Sequence, residues 1–215
     1  MPQRFGWKYL KKNIYDMKTK ITHFPRLIAI LTVWLAMLFI ASNVYADNSP
    51  LCFTAKGGSV KVRFSINIKV THTILYSTNG TSWREYSSSY GVTLNANQSI
   101  YFRAASNQST AMAFGANSDY LGGGSTFYFS SDDGGKVEAS GNIMSLYGPD
   151  CPNLQLQPNA FRGMFYDCTL LTTAPSLPAT NLANECYRAM FRNCTSLTTA
   201  PSLPATNLAD RCYYD

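Results

Sequence analysis

His72 is the one histidine downstream of the N-terminal leader. A Ser/His/Asp or Cys/His hydrolase routes its proton through an imidazole, so such an enzyme would have to use this residue, and no nucleophile is marked out beside it. Asp132-Asp133-Gly134-Gly135 offers two carboxylates in a turn, short of the oxygen ligands that calcium collects, and reads as a solvated turn. Gly122-Gly123-Gly124-Ser125 lacks the spacing of a phosphate loop. Asn79, Asn97, Asn107 and Asn193 head N-x-S/T sequons, which matter only in a eukaryotic secretory pathway. No cofactor motif or metal set emerges, and enzymatic activity is not expected.

Six cysteines are the remaining reactive groups: Cys52, Cys151, Cys168, Cys186, Cys194 and Cys212. Their reading depends on compartment, because disulfides persist where conditions oxidise. Seven of the 18 basic residues but one of the 12 acids precede Asp47. The body is therefore neutral, and the net charge of +6 is no sign of nucleic-acid binding. Those basic residues, the apolar run Leu27 to Ala41 and the small-residue site Val44-Tyr45-Ala46 form an export signal cleaved after Ala46, with Met17 a plausible true start. The apolar run, as a helix, reaches about 22 Å against a hydrocarbon core of about 30 Å. The mature chain is thus expected to be secreted or cell-surface, without a membrane span.

From Ser49 to Asp150 short alternating segments replace helical periodicity. In Val60 to Val70 every even-numbered residue is apolar, which places one face in a core. Further strands are expected at Leu51 to Ala55, Thr73 to Ser77, Ser82 to Tyr86, Ile100 to Ala104, Thr126 to Ser130 and Lys136 to Ser140, and together they predict an Ig-like β-sandwich. Asn79-Gly80 should turn a hairpin. The run Tyr76 to Trp83 is similar to the Asp-box of sialidases, with Asn79 in the aspartate's place, but it occurs once and without arginine or carboxylate companions. Tyr86, Tyr90, Tyr101, Tyr120 and Tyr128 are candidates for an aromatic surface.

The last quarter repeats. Phe161–Cys186 aligns with Tyr187–Cys212 at 19 identities in 26 positions, the sign of a unit that buries its apolar face by stacking on a neighbour. The expected interior is Phe165, Cys168, Leu171, Leu177, Leu182 and Cys186 in the first unit, and Phe191, Cys194, Leu197, Leu203, Leu208 and Cys212 in the second. Pro175, Pro178, Pro201 and Pro204 should hold extended segments. Stacking would bring Cys168 near Cys194 and Cys186 near Cys212, within disulfide range, but parallel inward side chains lack the crossed geometry of a bridge, and free thiols acting as small buried hydrophobes are the expectation. Cys52 and Cys151 are candidates for a staple closing the β-domain.

The pattern M-F-x-x-C-T-x-L-T-T-A-P-S-L-P-A-T-N-L-A-x-x-C-Y, at Met164 to Tyr187 and Met190 to Tyr213, resembles the repeat of BspA-like leucine-rich repeat surface proteins of bacteria. That resemblance implies adhesion to host or matrix proteins, no catalytic residues and no cofactor.

The expected chain is mainly β: a signal peptide (1–46), a β-sandwich (47–150), a linker (151–160) and a short, truncated leucine-rich-repeat-type solenoid (161–215), read as a fragment of a longer product. Its expected function is that of a cell-surface interaction module for a host or matrix protein or a glycan, with no nucleic-acid partner. The alternatives are a carbohydrate-binding module with the repeats as a stalk, and a secreted hydrolase that uses His72.

Overall fold

The structure, a computed structural model, describes residues 48–67, 70–89, 91–109, 114, 124–150 and 155–214. The chain divides into two units, Met1–Ala46 and Asp47–Asp215, and the described residues all belong to the second. The export signal, Tyr90, Tyr120 and Cys151 lie outside them. Among the described residues no helix is long and apolar enough to cross a membrane.

The fold is mainly β and holds two sheets. Six strands run in the order β4 (Arg84–Glu85), β3 (Ile74–Ser77), β6 (Ser99–Ala104), β1 (Leu51–Lys56), β8 (Lys136–Ser140), β9 (Leu171–Thr173), antiparallel except for β8 with β9. Three more run β5 (Val92–Leu94), β2 (Val60–Ser65), β7 (Thr126–Ser130). The alternation in β2 works as read: Val60, Val62 and Phe64 are fully buried while Lys61 and Arg63 face out. Phe53 and Phe102 of the larger sheet meet Phe127 and Phe64 of the smaller, at 4.7 Å for Phe53 to Phe127 and 6.0 Å for Phe64 to Phe102. Each such buried ring is worth about 1.5–3 kcal/mol relative to exposure.

Two expectations need correction. The strand expected to reach Val70 ends at Ser65, and Ile68 and Lys69 lie outside the described residues. The strand expected over Ser82 to Tyr86 shrinks to two residues, because Ser82 gives its N–H to Asn79 Oδ1 instead of to a ladder. In that hairpin only Gly80 takes a positive φ, 74°. Asn79 contributes through its side chain, whose Oδ1 also accepts from Thr81 N–H and Ser77 Oγ.

The repeats are neither strands nor helices over most of their length. The N–H groups of Ala160, Arg162, Met164, Tyr166 and Cys168 each bond the carbonyl three residues back, so the segment is a run of consecutive turns. The intervening N–H groups, on Asn159, Phe161, Gly163, Phe165 and Asp167, donate to the carbonyls of Asn184, Cys186, Arg188, Met190 and Arg192 in the next unit. Glu185, Tyr187 and Ala189 repeat this onto Asp210, Cys212 and Tyr214. Over 159–168, even-numbered N–H groups thus close the unit and odd-numbered ones join it to its neighbour, which answers where the hydrogen bonds of this buried backbone go.

Such tight bending requires left-handed residues. They recur at Asn159, Gly163 and Asp167, then at Glu185, Ala189 and Asn193, then at Arg211, with φ between 51° and 66°.

The first unit is itself covered by a rung assembled from four separate segments. Phe114, Phe127, Val137 and Ile143 donate to Ala160, Met164, Leu170 and Ser176, and the first two of these bonds repeat those that Phe161 and Phe165 make to Cys186 and Met190 in the next unit. The 3-10 helix Ile143–Tyr147, capped by the Asn142 side chain on Met144 N–H, closes this side.

Candidate functional site

Two columns of aromatic rings run through the interior of the repeat region. Phe114, Phe161, Tyr187 and Tyr213 stack at 5.8, 5.6 and 5.6 Å with planes within 8°. Phe165 lies between Phe127, at 5.5 Å and 16°, and Phe191, at 5.4 Å and 5°. The Tyr187 and Tyr213 hydroxyls are buried with no partner among the described residues, and burial pushes the Tyr213 phenol up to about 12 and raises that of Tyr187 well above its ordinary value.

Of the expected interior residues, Phe165, Cys168, Leu171, Leu177, Cys186, Cys194 and Cys212 are buried, and Leu182, Phe191 and Leu197 are half-buried. Leu203 and Leu208 are corrections: they stand 47% and 67% exposed. Leu177, the counterpart of Leu203, is covered because the body bonds its neighbour Ser176 on both sides, from Ile143 N–H and to Gly141 O. No described segment plays that part for the second unit.

The described cysteines, Cys52, Cys168, Cys186, Cys194 and Cys212, are buried free thiols. Cys168 Sγ donates to Phe127 O at 3.1 Å, and Cys194 Sγ makes the same bond one unit on, to Phe165 O at 3.0 Å. These two thiols are thereby donors in the stack, not halves of a bridge. Burial pushes Cys186 and Cys194 up to about 11 and raises Cys168 well above the ordinary thiol range, which disfavours the thiolate that a nucleophile needs.

On the outer face, positions that differ between the units pair with one another. Asp167 aligns with Asn193, and Asn193 Nδ2 donates to Asp167 Oδ1 at 2.7 Å. Asn184 aligns with Asp210, whose N–H reaches Asn184 Oδ1 at 3.3 Å. Glu185 aligns with Arg211 and takes its Nη1 at 3.5 Å. Identical acids in one column would repel at this spacing, so the substitutions make neighbouring units complementary.

Glu185 also accepts from Arg162 at 2.9 Å and from Arg188 at 3.0 Å. With the Arg162 side chain 4% exposed and that of Glu185 20% exposed, this carboxylate holds three guanidinium groups around the seam between units. Arg188 further lies 5.7 Å from the Tyr214 ring, and Tyr214 is 60% exposed. The sequence signal for Arg162 and Arg188 was their invariance between units amid apolar neighbours.

The other chemistry-bearing residues have structural work. His72 bonds Leu146 O at 2.8 Å and sets its ring edge on Phe114. Burial lowers its pKa, against the upward pull of that carbonyl. Asp133 accepts from Ser59 N–H, Ser59 Oγ and Ser131 Oγ at 2.9 Å each, and these bonds hold its carboxyl down at about 2. Tyr86 is interior, its oxygen accepting Phe64 N–H at 2.7 Å. Tyr128 is 46% exposed, with the Arg63 guanidinium 5.0 Å from its ring. Among the described residues no three His, Cys, Asp or Glu side chains group to hold a metal ion.

Comparison with known proteins finds no matching family model, curated protein or solved structure.

Proposed function

We infer that this chain is an exported, non-enzymatic bacterial surface protein of the BspA-like kind: an Ig-like β-sandwich continued by a short leucine-rich-type solenoid. Its outer repeat face offers a recognition surface to a host or matrix protein. The observation that carries this reading is the register of Phe165 on Phe191, 5.4 Å apart and 5° from parallel. A stack with a constant interior and a polar, arginine- and tyrosine-bearing exterior is how repeat proteins build binding faces. The groups that such a partner meets are Arg211, Tyr214 and Arg192, all exposed.

The test is surface-plasmon binding of the full chain to immobilised extracellular-matrix proteins. Binding weakened by Arg211→Ala and Tyr214→Ala supports the reading; binding indifferent to both, or hydrolysis lost with His72→Ala, sinks it. Of the aromatics expected to serve a carbohydrate-binding face, Tyr86 is interior and Tyr128 stands on the smaller sheet while Tyr101 stands on the larger, so they form no single aromatic platform.

A further inference from the structure

Two adjoining clefts flank the tip of the β3–β4 hairpin. One, of about 300 Å³, is walled by Tyr76, Thr78, Asn79, Ser82 and Arg84; the other, of about 530 Å³, by Thr78, Thr93, Asn97, Gln98 and Tyr101. Thr78 is common to both, and the hairpin tip at Gly80 lies in van der Waals reach of the Tyr101 ring, 3.7 Å from where a Cβ would stand. Both volumes fall in the range of small-ligand sites, about 300–1,000 Å³.

The polar groups of these walls divide into two sets. One set is locked internally: Asn79 Oδ1 takes two backbone N–H groups and Ser77 Oγ, Gln98 Oε1 takes Asn95 N–H at 2.8 Å, and Ser99 Oγ pairs with Thr54 Oγ1 at 2.8 Å. The other set is uncommitted. The side chains of Tyr76, Thr78, Arg84, Thr93, Asn97 and Tyr101 make no hydrogen bond with any described residue. The clefts thus combine polar groups fixed by internal hydrogen bonds with six whose bonding capacity is open to a ligand.

The chemistry of that free set narrows the ligand. Hydroxyls and an amide both donate and accept, which suits a ligand bearing many hydroxyls. The two tyrosines add faces for the C–H side of a ring. The walls carry a single charge, Arg84, too few cations for a nucleic-acid backbone, and no carboxylate for a metal ion. We propose that this double cleft binds a saccharide chain. The proposal rests on reading the chain as a non-enzymatic recognition protein, and it places a second contact site on the two-sheet body.

The test is an array of immobilised neutral and uronic-acid oligosaccharides probed with the full chain, followed by calorimetry with the best binder. At least one oligosaccharide is expected to bind, with affinity falling roughly tenfold in Tyr101→Ala and in Asn97→Gly, which keeps the positive φ of 65° at that position, at unchanged melting temperature. Tyr128→Ala should bind as the parent does. If Tyr101→Ala lowers the melting temperature, the exposed pair Thr78→Ala and Thr93→Ala takes its place. A blank array, or parental binding in the cleft variants, overturns the proposal. A blank array beside matrix-protein binding that Arg211→Ala weakens removes the cleft alone, while sugar binding with no effect of Arg211→Ala on matrix proteins removes the repeat face alone.

Discussion

Phe127 stacks on Phe165 at 5.5 Å, with the two rings 16° from parallel. A strand residue of the two-sheet body therefore stands where a preceding repeat's phenylalanine would, and its N–H and carbonyl make the bonds that a preceding repeat would make. The body is the first rung of the stack. Phe127→Ala is accordingly expected to lower amide-exchange protection in Phe161–Cys186 as well as in β2. Protection should also be lower after Cys186 than before it, since no described segment covers the far side of the second unit, where Leu203 and Leu208 are exposed. Exchange measured by mass spectrometry on the intact protein checks both, and protection uniform through Tyr214 would refute the second.

The decapeptide Ala174 to Ala183 recurs letter for letter as Ala200 to Ala209, yet Leu177 is 2% exposed and Leu203 47%. Leu177→Ala should cost about 2–5 kcal/mol. Leu203→Ala should change stability by no more than about 0.5 kcal/mol, as an exposed position does. Urea midpoints of the two variants decide this, and equal losses would mean that the second copy is covered in solution.

At two positions the first unit holds the residue better suited to the second. Tyr187 buries a hydroxyl with no partner among the described residues where the first unit has Phe161, so Tyr187→Phe is expected to stabilise by about 1 kcal/mol or more. Ala189 sits at φ 52° where the first unit has Gly163 at 66°. Left-handed geometry costs a non-glycine residue about 1–2 kcal/mol, offset by about 0.4–1 kcal/mol of unfolded-chain entropy. Ala189→Gly should therefore come out neutral to mildly stabilising, and thermal melts of both variants measure these signs.

Acid should act in two windows. The folded His72 resists protonation relative to its ordinary 6.5, so the unfolded chain takes up that proton first. Stability is then full above pH 6.5 and declines as pH falls below it. His72→Gln should flatten the slope between about pH 5 and 7. Asp133 behaves as a depressed carboxylate: its contribution is present above 3.8 and lost as pH falls through about 2. Asp133→Asn should abolish that lower step while leaving the upper one in place, as read from urea midpoints across pH.

Much of this molecule was legible in its letters. Alternation in Val60 to Ser65 sets which side chains are buried because a strand's period of two cannot be satisfied otherwise, and near-identity at a spacing of 26 makes register stacking the cheapest way to hide Phe165 and Phe191. The letters could not say what lies against each copy. Leu171-Thr172-Thr173 is a strand while the identical Leu197-Thr198-Thr199 is not, because β8 offers the first copy an edge to pair with and no described strand offers one to the second. Likewise Phe114, Phe127, Val137 and Ile143 share no motif, and only folding brings them into one rung. Periodicity is a property of the chain, but burial is a property of what the chain is pressed against, and that is settled by contacts between residues far apart in sequence.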